Sequence, residues 1–546
     1  MRRRDSPRAS AAAGLALSAL NVHAGAAADS KPKRVGMIGA GSFKEVAMHG
    51  ASLCVRIMVL LLALDAAGCL PRRGDVSPDG RTFYFSMMVP TEKEGMSGSP
   101  ILALDAETGR LTALTDSIVG GFWCCLSPDG KFLTYMGPVV GAVSIMDLEK
   151  GEAGPLTGVL DGYGYPRLIQ MGDGEKVFGL LAKTTRGLGS PGGEAKDSHW
   201  VVMSQSGAVP LPDLEGYEAG VGEVVTLSGA FVVPVHRLIN APEAAKGDPK
   251  KHESALFAVD VSEYLKATKP DAPKSKSPPA PPKAALLAKW AGEGDSAPVI
   301  DLALSSDREE GRLVAAVPGQ GPGKDSTQFF EIFPPEKGPP KLLFEDAKAR
   351  CPQWTPDGKA IVYLRVNTVN NNWQEVVLWR PEAKEPVVLA RLPNKSTPHD
   401  ETCITTWRWL PDGRLRIYNV EDGDGIRLVE TAADGTGAKA RRLNPDRLVL
   451  QVNLALTDRA MHSVPPLGKV PASPLNDKTK PAVEAAVAAA KSFDEAREKL
   501  WQLANDWDEV PAIPPVPVPP KATPAAPAPT EIPGKIAPKS APPAHE

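Results

Sequence analysis

Three consecutive side chains, His399, Asp400 and Glu401, carry the imidazole and carboxylate groups that hold divalent metals, and His236 and His252 would complete a site if their loops converge. Eight histidines in 546 residues scatter easily, so no metal is assigned. The run Asn370-Asn371-Asn372-Trp373 joins amide groups to an aromatic ring, which suits a glycan or peptide contact. Its plainer reading is a turn whose Trp packs inward. Asp422-Gly423-Asp424-Gly425 superficially follows a calcium loop. It lacks an acid or amide at the first ligand position, however, and has Thr431 where a bidentate Glu belongs. A tight hairpin turn explains it better. Asn370, Asn371, Asn372, Trp373, His399, Asp400 and Glu401 are therefore the candidate binding residues, with no catalytic set, cofactor motif or metal site assigned.

The first 70 residues concern address rather than chemistry. Arg56, the apolar core Ile57–Leu64 and Ala66-Ala67-Gly68-Cys69 make up a positive flank, a short apolar stretch and small residues before a cut, as in a secretory signal. So short a stretch falls below the ~20 residues that span a bilayer. The segment resembles a bacterial lipoprotein signal, with Ala66 where Leu is usual and Asp65 beside the apolar core. That resemblance implies lipidation at Cys69; an ordinary signal peptide with a chance Cys is the alternative. An earlier signal-like stretch starts at Arg2, Arg3 and Arg4 and reaches Ala-x-Ala sites near Ala24–Ala28. Two signals in series make little mechanical sense, so the true start is expected near Met48. Between them, Gly39-Ala40-Gly41 opens like a dinucleotide-binding turn. Lys44 replaces its third Gly, and no room remains for the βαβ unit.

Composition narrows the rest. With 62 basic and 65 acidic residues, the net charge of −3 argues against a broad basic face for nucleic acid. Glycine (50) and proline (55) disfavour a mainly helical fold and call for many turns. Cys124, Cys125, Cys351 and Cys403 lack zinc-ribbon spacing. A Cys351–Cys403 disulfide and buried thiols both fit.

What must position the candidate residues is a repeat. Ser77-Pro78-Asp79-Gly80, Ser127-Pro128-Asp129-Gly130, Thr355-Pro356-Asp357-Gly358 and Leu410-Pro411-Asp412-Gly413 share one form, and an aromatic follows six residues after each Asp: Phe85, Tyr135, Tyr363, Tyr418. Pro presets the first corner, Asp bonds its own backbone, and Gly takes the positive φ that closes the hairpin. Weaker copies stand at Gly172-Asp173-Gly174, Ser228-Gly229 and Ser305-Ser306-Asp307. After each copy comes a second hairpin ending near a Leu, such as Ile101–Leu114 or Phe329–Leu343. The pattern predicts an all-β fold, a seven-bladed β-propeller over residues 75–445, with six or eight blades as alternatives.

These Ser/Thr-Pro-Asp-Gly-Lys/Arg-x-apolar-x-Tyr units resemble the WD40-like PD40 repeats of the TolB translocation protein, and similar repeats occur in tricorn and prolyl-oligopeptidase-type proteases. The resemblance implies a propeller over about two thirds of the chain. It does not extend to the flanking domains of either group. TolB carries an α/β domain before its propeller, whereas here only a few residues separate Cys69 from the first turn, and no Gly-x-Ser-x-Gly elbow serves a hydrolase.

If the Pro-Asp-Gly turns join strands one and two, the longer loops gather at the other end: Thr91–Ser99, Lys183–Asp197, His236–Glu253, Pro318–Ser326, Asn367–Asn372 and Asn394–Thr402. Binding is expected there. The Pro- and Lys-rich insert Lys269–Lys283 lies on the turn side and reads as a tolerated excursion. Residues 446–509 read as a linker and an amphipathic helix: Arg447–Leu456 as a closing strand or linker, then a helix from Pro481 to about Trp507 with Phe493, Leu500, Leu503 and Trp507 on one stripe. Residues 510–546 hold 13 prolines and are expected to stay disordered. The sequence thus suggests a non-catalytic binding or scaffolding module of the cell envelope, held to the membrane through a lipid anchor only and engaging an envelope protein or glycan rather than nucleic acid. A propeller enzyme acting on glycans or peptides from rim loops is the alternative.

Overall fold

Hydrophobic alternation between the turns folds into sheets. The computed structural model describes residues 74–514 apart from 88, 91–96, 116–121, 128, 137–142, 156–168, 172–176, 185–198, 205–206, 213, 215, 220–224, 228–229, 240–250, 262–281, 294–299, 306–310, 320–325, 335–336, 367–372, 394–403, 422–424 and 463–478. Cys69 and its leader, Cys403, all of the Lys269–Lys283 insert but its last two residues, and most of the Pro-rich tail therefore lie outside the described residues. The chain divides between Ile513 and Pro514, and all sheets and helices lie before that point.

The first sheet runs β1 (Gly74–Val76), β2 (Thr82–Ser86), β5 (Ile101–Asp105), β6 (Leu111–Ala113), with a ribbon of β3 (Val89–Pro90) and β4 (Ser97–Gly98) between its middle strands. The second holds β7 (Phe122–Leu126), β8 (Phe132–Met136), β9 (Val143–Asp147) and β10 (Glu152–Pro155). The third holds β11 (Ile169–Met171), β12 (Val177–Thr184), β13 (His199–Ser204) and β14 (Gly207–Pro210). In the fourth, β15 (Glu218–Ala219) and β16 (Val225–Leu227) both pair with β17 (Ala230–Ile239), which continues to β18 (Lys251–Asp260) and β19 (Lys283–Glu293). The fifth holds β20 (Asp301–Leu304), β21 (Leu313–Pro318), β22 (Ser326–Ile332) and β23 (Lys341–Ala347). The sixth holds β24 (Ala349–Trp354), β25 (Ile361–Val366), β26 (Trp373–Trp379) and β27 (Val387–Pro393). The seventh holds β28 (Ile404–Trp409), β29 (Leu415–Glu421), β30 (Gly425–Thr431) and β31 (Lys439–Leu443), and gains a fifth strand, β32 (Asp508–Val510), from beyond the helices. All pairings are antiparallel, in chain order.

The Pro-Asp-Gly turns join the first two strands of their sheets, and their hydrogen bonds repeat. Ser77 Oγ donates to Asp79 Oδ1 (2.5 Å) and accepts from Thr82 N (2.8 Å), while Arg81 N donates to the same carboxylate (3.0 Å). Ser127 with Asp129, and Thr355 with Asp357, repeat this. The glycines take the left-handed φ the corner needs: 71° at Gly80, 74° at Gly130, 66° at Gly358, 82° at Gly413.

Neighbouring sheets seal each other's apolar faces. Phe329, Val314 and Ala316 of the fifth sheet pack on Ile361, Tyr363 and Val377 of the sixth. Val362, Val376 and Leu378 of the sixth pack on Trp407, Ile417 and Val429 of the seventh. The seventh closes on the first, where Tyr418, Ile426 and Leu428 meet Phe83, Phe85 and Leu102. A four-stranded sheet exposes two greasy faces, so burying each against a neighbour is what makes it stable. Successive four-stranded antiparallel sheets, the last packed on the first, are the architecture of a β-propeller.

Two sequence expectations change here. The aromatics six residues after Asp are not equivalent: Phe85, Tyr135 and Tyr363 face the preceding sheet, whereas Tyr418 faces the following one. The cause is a turn one residue shorter, with Val76 paired to Phe83 and Trp354 to Ile361, but Trp409 to Leu415. Because side chains alternate with period two, one missing residue turns the strand over. Leu410, lacking the hydroxyl of Ser77 or Thr355, lies where a Cβ on Gly80 would strike it.

Residues 447–456 are neither strand nor linker. They belong to α1 (Pro445–His462), which is followed by α2 (Thr479–Ala488) and α3 (Phe493–Ala504). Asn444 Oδ1 caps α1 by accepting from Arg447 N (3.1 Å), with Pro445 at the first helical position. The alternation Leu448, Leu450, Val452, Leu454 imitates a strand, but all four are buried in the helix among first- and seventh-sheet side chains, with Trp501 of α3 in the same cluster. The expected single helix is split at Ser492, whose hydroxyl accepts from Glu495 N (3.2 Å) to start α3. Leu500, Leu503 and Trp507 pack inward, whereas Phe493 stays 64% exposed.

Candidate functional site

The strand directions put the Pro-Asp-Gly turns at one end of the sheets and the strand-two-to-three and sheet-to-sheet connections at the other. Trp373 begins β26 at this connection end, half-buried and opposite Pro393, the last residue of β27. Asn370, Asn371, Asn372, His399, Asp400 and Glu401 lie outside the described residues; they precede Trp373 and follow Pro393 in the chain. His236 and His252 are not loop residues. The long strands β17 and β18 extend past them, pairing His236 with Ser254 and His252 with Leu238, and His252 is buried. Among the described residues no three metal-ligating side chains come together.

Below Trp373 the seam between the sixth and seventh sheets changes character. Its middle is apolar, but its last layer at the connection end is polar. Thr405, Asn419, Arg427 and Arg442 form one rung across the seventh sheet. Gln374 faces them from the sixth: Thr405 Oγ1 donates to Gln374 Oε1 (2.8 Å) and accepts from Asn419 Nδ2 (3.0 Å). Gln374 is 3% exposed, Asn419 1% and Arg427 8%. Burying so many polar groups is costly unless each is bonded, so such a layer is specific rather than merely stabilising.

The neighbouring seam, between the fifth and sixth sheets, treats its arginines differently. Arg365, Glu375 and Arg391 share a rung, with Arg365 Nη2 2.8 Å and Arg391 Nη2 2.8 Å from the Glu375 carboxylate. Asp346 of the fifth sheet accepts from Tyr363 Oη (2.5 Å) and Arg365 Nη1 (3.3 Å). Burial pushes the Glu375 carboxyl up, but its hydrogen bonds to Arg365 and Arg391 outweigh that and hold it below the usual carboxylate range. Burial, together with the Asp346 carboxylate, raises the Tyr363 hydroxyl. This seam neutralises its own charge; it is structural.

The polar rung was not found from sequence because it has no local signature. Asn419 and Arg427 interrupt the apolar alternation of Leu415-Arg416-Ile417-Tyr418 and Ile426–Val429, and that common interruption, at one height in adjacent strands, is the signal that register makes visible.

No protein-family model matches the chain, and no curated protein does. Solved structures are similar to it at low identity. They include TolB from Acinetobacter baumannii (12% identity, 66% of this chain, 63% of that one, TM-score 0.33). Pyrococcus horikoshii acylaminoacyl peptidase (12%, 65% and 50%, TM-score 0.38) and Kuenenia stuttgartiensis hydrazine synthase (14%, 67% and 77%, TM-score 0.27) are others. The chain spans less than two thirds of the TolB and peptidase structures it matches.

Proposed function

We propose that this chain is a seven-bladed propeller acting as a non-catalytic binding or scaffolding module of the bacterial cell envelope, engaging a protein or glycan at its connection end. One observation carries the reading: a buried polar layer of Gln374, Thr405, Asn419 and Arg427 lies at that end, beneath the strand termini that carry Asn370–Trp373 and His399–Glu401. Sheets hold the layer, and chain connections between strands on a rigid scaffold are where recognition residues usually sit. Export rests on the leader, and anchoring on Cys69.

The test is affinity capture from native envelope fractions with the wild-type chain and with residues 367–372 replaced by a Gly-Ser linker of equal length. Capture lost with the linker is expected; capture that survives the linker but is abolished by charge reversal at Lys131 and Glu149 on the turn end would refute the reading. Radiolabelled palmitate should enter the wild-type chain and not the Cys69→Ser variant. Labelling that persists in the variant rules out the anchor.

A further inference from the structure

We infer that Asp508–Ile513 is a releasable strap across the seam between the sixth and seventh sheets, held in part by exposed ion pairs, and that its detachment opens this seam before its neighbours. The inference concerns closure of the ring and does not rest on the proposed binding role.

This seam lacks a tie that both flanking seams have. Between the fifth and sixth sheets Arg312 donates to the Gly358 carbonyl, and between the seventh and first Arg416 donates to the Gly80 carbonyl. In the sixth sheet the position of Arg312 belongs to Ala360. Each follows a turn and donates its N–H back to the turn's first hydroxyl, Arg312 to Ser305 (2.9 Å) and Ala360 to Thr355 (3.0 Å). Alanine has no side-chain donor to send across to the seventh sheet. The same seam also holds two orphaned polar atoms. Gln353 stands opposite Val362 and shares its face, the one packed on the seventh sheet, and Trp409 enters the seam from that sheet. Gln353 Oε1 and Trp409 Nε1 are buried, and neither has a hydrogen-bond partner among the described residues. Trp354 Nε1 on the fifth–sixth seam is unbonded too, but there the Arg312 guanidinium lies 4.3 Å from the ring centroid. Buried groups without partners favour the state in which water reaches them, which is an open seam.

The segment that follows the helices crosses at this seam. Asp508, Glu509 and Val510 pair with Arg442, Arg441 and Ala440 at the edge of the seventh sheet. Two residues further on, the Ala512 carbonyl accepts from Arg391 N (3.0 Å) at the edge of the sixth. Val510 and Ala512 both join the apolar cluster of the seam. Register sets acids against Arg441 and Arg442, and Arg447 of α1 reaches Asp508 Oδ1 (3.0 Å) and the Asp506 carboxylate. The Asp506 and Asp508 side chains are 65% and 50% exposed, so dissolved salt screens their attraction. The sequence continues directly into the Pro-rich tail at Pro514, so a partner that grips the tail acts first on the strap.

The experiment is maleimide labelling of two cysteine reporters in the full chain, read peptide by peptide by mass spectrometry. Ala390→Cys places a thiol in the sixth–seventh seam and Ala316→Cys in the fifth–sixth seam, and both positions are fully buried. Each reporter is compared with the strap intact and with Asp508→Lys plus Glu509→Lys, and the intact strap is also compared at low and about 1 M salt. Circular dichroism and melting confirm folding, and the salt comparison stands by itself where the charge reversal does not fold. Hydrogen exchange at Arg391 N reports the strap directly. Charge reversal and salt should each speed labelling at position 390 about tenfold or more and release Arg391 N to exchange, while labelling at position 316 stays unchanged. Equal acceleration at both positions would make the segment a general stabiliser and overturn the inference. Arg391 exchange that rises while position 390 stays closed would overturn it as well, as would a strap and seam indifferent to both treatments.

Discussion

Tyr418 donates its hydroxyl to the carbonyl of Gly80 across 338 residues of sequence, at 2.7 Å, and so ties the last sheet to the first turn of the first sheet. Arg416 Nη1 donates to the same carbonyl (2.8 Å), held by Glu430 (2.7 Å), and the Tyr418 ring stacks on Phe83 at 4.8 Å. Arg312, held by Glu331, donates likewise to the Gly358 carbonyl (2.7 Å) between the fifth and sixth sheets, so an arginine reaching to the next turn's glycine recurs at two seams. Tyr418→Phe keeps the ring stack and, because Arg416 still serves the carbonyl, should cost only about 1 kcal/mol. Tyr418→Ala empties a fully buried site and should cost about 3–5 kcal/mol. Urea unfolding of both variants checks the pair; equal losses would show that the ring contributes nothing beyond the hydroxyl.

The helices act on the same junction from outside. Gln451 of α1 is wholly buried; its Oε1 accepts from Leu111 N (3.0 Å), and its Nε2 donates to the Gly109 (3.0 Å) and Ala504 (3.2 Å) carbonyls. Asn505 Nδ2 donates to Thr108 O (2.6 Å), and Arg441 to Ala106 O. One side chain thus satisfies the edge of β6, the adjoining hairpin turn and the end of α3. Gln451→Leu, similar in size but unable to bond, strands those groups and should lose about 1–3 kcal/mol. Hydrogen exchange at Leu111 N should accelerate with it. Protection at Leu111 equal to wild type would contradict the clasp.

Acid should loosen the turns. The Thr355 hydroxyl holds the Asp357 carboxyl below its ordinary value, and the Arg414 amide and side chain do the same for Asp412. At Asp79 burial pushes upward, yet the Ser77 hydroxyl and Arg81 amide prevail. A carboxyl depressed in the folded state adds stability that is complete above its unfolded value, about pH 4, and is lost as pH falls through the folded value. The urea midpoint should therefore drop on acidification below about pH 4. Asp357→Asn combined with Asp412→Asn should flatten that drop. An acid limb identical to wild type in the double variant would count against the turns as its source.

Much of this fold is legible in sequence because its signals are local. Pro, Asp and Gly fix a corner through bonds within five residues, as Ser77–Thr82 shows, and period-two alternation then dictates which side chains meet a neighbour. What was not legible is whatever depends on register or on distant partners. Arg447–Leu456 alternates like a strand, and only its contact with two layers explains a helix buried on both stripes. His236 and His252 look like loop residues because β17 and β18 outrun the length their neighbours set. The Gln374–Thr405–Asn419–Arg427 layer draws on both seam-forming sheets and exists only once they are aligned. Of the candidate binding residues, Trp373 alone is described, and it stands at the rim of that layer's seam.

The shortened turn at Leu410–Arg414 offers the sharpest test of how register governs this ring. Leu410 N bonds Arg414 O there (2.7 Å), where Ser77 N bonds Thr82 O (2.8 Å) and Thr355 N bonds Ala360 O (2.9 Å). Inserting Ser between Leu415 and Arg416 leaves the five-residue turn between Trp409 and Leu415 as it is and rotates the rest of β29 by one position. Tyr418 and Val420 would then point at the sixth sheet, and Ile417 and Asn419 at the first. The polar layer would lose Asn419, and the Gly80 carbonyl would lose its hydroxyl donor. The turn itself is untouched, yet the insertion should destabilise the chain by about 3 kcal/mol or more, because two seams repack at once. Unfolding midpoints of the insertion variant decide the matter. A chain as stable as wild type would mean that the closing sheet tolerates either face, and that the register of β29 has no part in joining the last sheet to the first.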